Sequence, residues 1–200
     1  MSLRLSGGRK LQSPPGSTAR PTPSRVRQAV MNMLSADLPG CSWLDLCCGS
    51  GVMACEAIQR GAQRVVAVEQ DRQMAATARN NLSLVAAAQT PAPEVTVVQQ
   101  EVLRWLRQAA PSSSSEEVGS RDGGFDLIYA DPPYASGLYP RLCEAIAEGG
   151  WLRPDGQLLL ECASAAIPDL PAGWIVRKER RYGTSTVLVL VAETADSSSG

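Results

Sequence analysis

The chain of 200 residues, 44% hydrophobic and with a formal net charge of −1, has the length and composition of a single globular core. No apolar run reaches the length of a membrane span, and the opening Met1-Ser2-Leu3-Arg4-Leu5-Ser6 lacks the apolar centre of a signal peptide, so a cytoplasmic protein without a membrane partner is expected. Six cysteines without a C-x-x-C pair, in a chain without histidine, argue against a metal site and remove the commonest general base.

The near-neutral total hides an uneven distribution. The first thirty positions hold Arg4, Arg9, Lys10, Arg20, Arg25 and Arg27 and no acid. These are either solvated charges on a mobile end or cations that track phosphates, and Arg9, Lys10, Arg20, Arg25 and Arg27 are the candidates for RNA contact. A second basic cluster, Arg177, Lys178, Arg180 and Arg181, is broken only by Glu179. Residues 7–23, rich in Gly, Pro, Ser and Thr, read as an extended loop. A helix is expected from an N-cap at Ser24, with Val26, Ala29, Val30, Met33 and Leu34 on one face.

Trp43-Leu44-Asp45-Leu46 reads as a strand, Cys47-Cys48-Gly49-Ser50-Gly51 as a tight turn, and 52–60 as a helix. Strand, glycine turn and helix open a Rossmann-like nucleotide fold. The spacing D-x-x-x-G-x-G, from Asp45 through Gly49, Ser50 and Gly51, is the form suited to S-adenosylmethionine, whose cationic amino group can pair with the acid. A second strand, 64–69, ends in Glu69, 20 residues after Gly49. At that spacing a carboxylate grips ribose hydroxyls, although a solvated strand end has the same appearance. Asp71 caps a helix with Met74, Ala78, Leu82 and Val85 on one face. A third strand over 95–98 leads to Glu101, which either accepts from an adenine amino group or serves as a helix-start charge for 102–109. Residues 111–124 read as a flexible insertion.

The buried strand Phe125-Asp126-Leu127-Ile128-Tyr129-Ala130 delivers Asp131-Pro132-Pro133-Tyr134. Pro133 keeps Pro132 out of the helical region, so its carbonyl is not consumed by a helix ladder. One carboxylate, one free carbonyl and one aromatic face suit a planar nucleobase amine; a plain strand-ending turn is the other reading. A helix over 138–148, a turn at 152–156, a fifth strand over 157–161 and a hairpin of 174–181 with 184–191 complete the pattern. The expected fold is α/β: a mostly parallel, doubly wound Rossmann-like sheet with a C-terminal antiparallel hairpin. All the candidate acids then fall at the carboxyl ends of strands, in one crevice.

In Gly8-Arg9-Lys10-Leu11, Arg20-Pro21-Thr22 with Arg25-Val26-Arg27, Leu44-Asp45 through Gly51, Val68-Glu69, Asp131-Pro132-Pro133-Tyr134 and Tyr182-Gly183, the chain resembles the RsmD-type methyltransferases of bacterial small-subunit ribosomal RNA. It departs from them at Cys47-Cys48, where Phe-Ala is frequent, and at Glu101, where Asp or Asn is usual. The resemblance implies a class I methyltransferase that carries a methyl group from S-adenosyl-L-methionine to the exocyclic N2 of a guanine. Asp131, Pro132, Pro133 and Tyr134 would be catalytic, and Asp45, Gly49, Ser50, Gly51, Glu69 and Glu101 would hold the cofactor. The partner would be 16S ribosomal RNA or a small-subunit assembly particle, met by a monomer. The organisation expected is a basic RNA-docking segment and helix over 1–35, a methyltransferase body over 41–192 and a disordered tail over 193–200. Three rival readings share the corner or the basic segment. They are an N6-adenine methyltransferase, a protein-glutamine methyltransferase (typically with Asn at position 131) and a non-catalytic RNA-binding module.

Overall fold

Seven strands form one sheet, flanked on both faces by helices, in a computed structural model that describes residues 3–13, 23–108, 123–133 and 137–193. Arg20, Tyr134, most of the 111–124 insertion and the tail beyond residue 193 lie outside the described residues. The elements run α1 (Ser24–Met33), β1 (Ser42–Leu46), α2 (Val52–Gln59), β2 (Arg64–Glu69), α3 (Arg72–Ala86), β3 (Glu94–Gln99), α4 (Val102–Gln108), β4 (Phe125–Ala130), α5 (Tyr139–Glu148), β5 (Leu152–Ala163), β6 (Trp174–Tyr182) and β7 (Ser185–Ala192).

The strand order is β3-β2-β1-β4-β5-β7-β6. The first five strands in this order are parallel, and β7 is antiparallel to both β5 and β6. Because β1 and β4 lie mid-sheet, both their faces are covered, and the runs Ser42–Leu46 and Phe125–Ala130 are buried almost throughout. Trp43, Tyr129, Leu159, Val187 and Val189 face one core with α1, α2 and α3. Leu44, Leu46, Ile128, Leu158 and Leu160 face the other with α4 and α5.

Several local expectations shift. Ser24 is the first helical residue, Pro23 holds the N-cap position, and no side chain caps α1. The buried face of α1 is Val26, Arg27, Val30, Met31 and Leu34; Met31 joins it unexpectedly, and Met33 packs against its border, partly buried. The turn expected at 152–156 is embedded in β5. Leu152 pairs with Phe125, and pairing resumes at Gln157 with Leu127 after an irregularity pinned by the Arg153–Asp126 ion pair at 2.6 Å. The hairpin turn is Gly183-Thr184, one residue later than expected. Residues 3–11 fold back on themselves. Leu5 and Leu11 donate to the Arg9 and Leu3 carbonyls, and Leu3, Leu5 and Leu11 are buried in the α1–α3 core.

Candidate active site

The turn after β1 packs three left-handed residues into five positions: Cys47 (φ 60), Gly49 (φ 55) and Gly51 (φ 75). Gly51 needs its lack of a side chain for packing. A Cβ there would lie 3.2 Å from the Ala78 Cβ of α3, so the space in question belongs to the helix and not to a ligand. Gly49 has open space in front of it, with only the Met74 methyl at 4.0 Å from such a Cβ. It is the side on which a ligand can approach the backbone.

Two carboxylates organise this turn. Glu69 accepts from the Gly49 N–H at 2.8 Å with one oxygen and from the Asp71 N–H at 2.8 Å with the other. Each oxygen keeps a further lone pair, enough for a pair of hydroxyl donors. Asp45 is 1% exposed and accepts from the Ala54 N–H at 3.0 Å, which ties β1 to the first turn of α2. Burial pushes its carboxyl up to about 8; the Ala54 hydrogen bond opposes this, and nearby Asp131 and Glu69 reinforce it. Such an acid lacks a positive partner, which a cationic ligand supplies.

The same crevice receives the remaining acids. The Cys47 thiol is pushed up to about 12, first by burial and then by the fields of Glu69, Asp45, Asp131 and Glu101. Four acids from the ends of four strands therefore converge around one half-buried side chain. That thiol is inert at neutral pH, as is its buried neighbour Cys48, whose pKa burial also raises. Glu101 acts as a helix-start charge: its two oxygens accept from the Leu103 and Arg104 N–H groups at 3.0 and 2.8 Å. Asp131 is half-buried and Pro132 buried, and both stand beyond the last residue of β4 in neither helix nor strand. Among the described residues no donor takes the Pro132 carbonyl. Tyr134 lies outside the described residues.

Two supports were not anticipated from sequence. Asn81, 1% exposed on α3, accepts from the Gln12 N–H at 2.8 Å and donates to the Gln12 and Ser50 carbonyls at 3.1 and 3.0 Å. One amide thus clamps the glycine turn and the N-terminal segment together. Its sequence signal was a polar residue inside the apolar face Ala78, Leu82 and Val85. Behind the Asp131 corner, the Tyr129 hydroxyl donates to the buried Glu161 carboxylate, and the Tyr139 hydroxyl donates to the Glu161 carbonyl at 2.8 Å. Burial raises the pKa of Glu161. An acid closing the apolar run Leu158-Leu159-Leu160 was its only mark.

The basic candidates divide. Lys10 and Arg25 are exposed, and Arg9 donates to the Leu84 carbonyl at 3.1 Å. Arg27 is 4% exposed, donates to the Arg4 carbonyl and stands 3.5 Å from the Glu56 carboxylate. Arg27 is therefore a structural cation and leaves the set available to phosphates. Among the described residues no cluster of acids, cysteines or histidines is arranged to hold a metal ion.

Comparison with known proteins identifies the family and the fold. The family model described as Conserved hypothetical protein 95 matches residues 5–191. The chain is 27% identical over 177 residues to Ribosomal RNA small subunit methyltransferase D of Escherichia coli (strain K12), covering 88% of this chain and 81% of that protein. A solved hypothetical protein from Thermus thermophilus superposes with a TM-score of 0.72 at 25% identity, over 96% of this chain and 99% of that one. Magnesium protoporphyrin IX methyltransferase of Synechocystis, solved with bound S-adenosylmethionine, shares the fold alone, with a TM-score of 0.57 at 21% identity over 84% and 79%. The fold is that of the class I S-adenosylmethionine-dependent methyltransferases. The family match runs from the N-terminal hairpin to the last strand, and the chain accordingly belongs to Conserved hypothetical protein 95, the family of the RsmD-type ribosomal RNA methyltransferases.

Proposed function

We propose that the protein methylates the exocyclic N2 of a guanine in small-subunit ribosomal RNA, with S-adenosylmethionine as methyl donor. The observation that carries the reading is the meeting of the Asp131-Pro132 corner with the Gly49 turn and Glu69 in one crevice. The acceptor set fits the cofactor: carboxylates for its cationic and hydroxyl groups, and an open glycine face. Glu69 would take the ribose hydroxyls, the Gly49–Gly51 turn the amino-acid end, and Asp45 would answer the positive charge from beneath the turn. Glu101, engaged with α4, retains lone pairs that could still accept from an adenine amine.

When bound, S-adenosylmethionine supplies an electrophilic methyl group on a sulfonium. The work of the chain is to prepare the nucleophile. A guanine amine is weak because its lone pair is delocalised into the ring. Asp131 and the Pro132 carbonyl accept its two hydrogens, which favours a pyramidal nitrogen and localises the pair. Asp131 or water would accept the proton that the amine sheds on gaining the methyl group. Tyr134, outside the described residues, is the aromatic expected to stack on the base, which must leave its own stack to arrive there. Catalysis on this account is positioning and electrostatics. Guanine is favoured over adenine because its N1–H is a donor beside the amine, whereas adenine offers an acceptor that an ionised Asp131 repels.

Treating small-subunit RNA with enzyme and labelled cofactor, then digesting it to nucleosides for mass spectrometry, tests the reading. Label in N2-methylguanosine is expected; label only in N6-methyladenosine or only in protein overturns it. Asp131→Ala should leave cofactor affinity within a few-fold and lower turnover by about a hundredfold or more, as for loss of an electrostatic group of about 3–4 kcal/mol.

A further inference from the structure

Strand β6 forms an outer edge of the sheet and is exposed from Ile175 to Arg181. It carries Arg177, Lys178, Arg180 and Arg181 around one acid, Glu179. Among the described residues none of these four cations pairs with a carboxylate, and Arg180 donates only to the Glu179 carbonyl, at 3.0 Å. The strand is thus an unanswered positive stripe.

Register sets where the stripe ends. Ala130 aligns with Leu160, Leu160 with Leu188, and Leu188 with Glu179. The next row holds Glu161, Val187 and Arg180, and Asp131 leaves β4 at that level. Both β5 and β6 are antiparallel to β7, so β6 climbs toward the crevice rim, and Arg180, Arg181 and Tyr182 stand at the same end of the sheet as Asp131. Three strand spacings separate β4 from β6, roughly 14 Å at about 4.8 Å each. Lys178 and Arg180 align with Val189 and Val187, which point to the α1–α3 face, so both cations share that face with the N-terminal hairpin.

The crevice itself repels phosphate, because the carboxylates of Glu69, Glu101 and Asp131 converge in it. A polyanion that inserts one base must carry its backbone along the flanks instead. We propose that β6 is a docking rail for the phosphodiester backbone of the substrate RNA, a few nucleotides from the inserted base. This rests on the RNA-methylating reading above. A second copy of the chain paired along β6 is the poorer occupant. It would set cation against cation, and the register shift at Arg177 interrupts the ladder such pairing needs.

The test is the variant R177Q/K178Q/R180Q/R181Q beside R180Q/R181Q, with small-subunit ribosomal RNA as probe and binding followed across a salt series. Each phosphate contact to a single strand contributes about 0.7 to the log–log slope. The quadruple variant should lose about 3 units of slope and bind RNA at least tenfold more weakly at low salt, and the double variant should lose about half as much slope. S-adenosylmethionine affinity and thermal midpoint should match wild type. Wild-type slope and affinity in a folded quadruple variant overturn the rail, and a change in sedimentation alone overturns it in favour of a protein contact. If wild-type protein neither labels nor binds the RNA, the RNA reading itself falls and the rail with it; the wild-type arm separates the two failures.

Discussion

Asp45 has a titration that folding inverts. Unfolded, its carboxyl loses a proton near 3.8; folded, burial pushes it up to about 8. Between those values the folded chain holds one more proton than the unfolded chain, so this acid makes stability fall as pH rises, and the effect levels off above the folded value. Asp45→Asn cannot ionise and keeps an oxygen for the Ala54 N–H. Urea midpoints at about pH 5 and pH 8 should show the wild type losing more stability than the variant across that window. Equal pH slopes would mean that Asp45 is ionised in the fold. The glycine turn above it holds a second residue-scale lesson. The spacing D-x-x-x-G-x-G marks the turn but does not say which glycine faces a ligand. Contact with Ala78 shows that Gly51 serves α3, and the open side belongs to Gly49.

At the scale of elements, α3 does more than cover the sheet. Its N-cap is the expected one, with Asp71 accepting from the Met74 N–H at 2.8 Å. Two turns later, Asn81 satisfies the backbone of Gln12 and Ser50 at once. Asn81→Ala should leave buried polar groups unpaired and cost about 1–3 kcal/mol in chemical denaturation. It should also weaken S-adenosylmethionine binding in a calorimetric titration, because the Ser50 carbonyl is no longer held. Lost stability with wild-type cofactor affinity would confine the clamp to the N-terminal segment. The C-terminal hairpin divides by composition. The apolar run Val187–Leu190 of β7 needs cover on both faces and lies between β5 and β6, while charged β6 takes the edge, where water reaches both its faces.

Across the whole molecule, the basic N-terminus is held by a buried polar junction. Glu56 accepts from the Ser6 N–H and hydroxyl at 2.9 and 3.0 Å and faces Arg27, which in turn donates to the Arg4 carbonyl. Removing one partner of a buried pair leaves a charge without compensation, so Glu56→Ala should cost about 3–5 kcal/mol. Arg27→Met with Glu56→Leu should cost less, because neither charge remains. Urea denaturation of both variants checks the order, and a double variant no better than Glu56→Ala would show that the junction works through Ser6 and not through the pair. Truncating residues 1–19 would be a poor probe of RNA contact, since it removes Leu3, Leu5 and Leu11 from the core. Charge-neutral variants at Arg9 and Lys10 isolate the electrostatics.

The sequence by itself determined whatever depends on short range. Apolar runs, caps and glycine turns read at each point of the chain gave the alternation of strand and helix. That alternation is enough to predict a parallel sheet, and a parallel sheet sends Asp45, Glu69, Glu101 and Asp131 to one edge. The Asp131-Pro132 corner was legible for the same reason, since the proline that follows restricts its neighbour locally. Only the tertiary structure decided the pairings between distant positions. Arg27 reads as one more basic residue until Glu56, on another helix, takes its charge. Asn81 reads as a polar interruption until Gln12, 69 residues away, lies against it. The order β5-β7-β6 follows from which strand can tolerate water, a comparison no single segment contains. Side-chain partners are chosen by packing the whole chain, and a local pattern carries the propensity of a segment but not the identity of what it will touch.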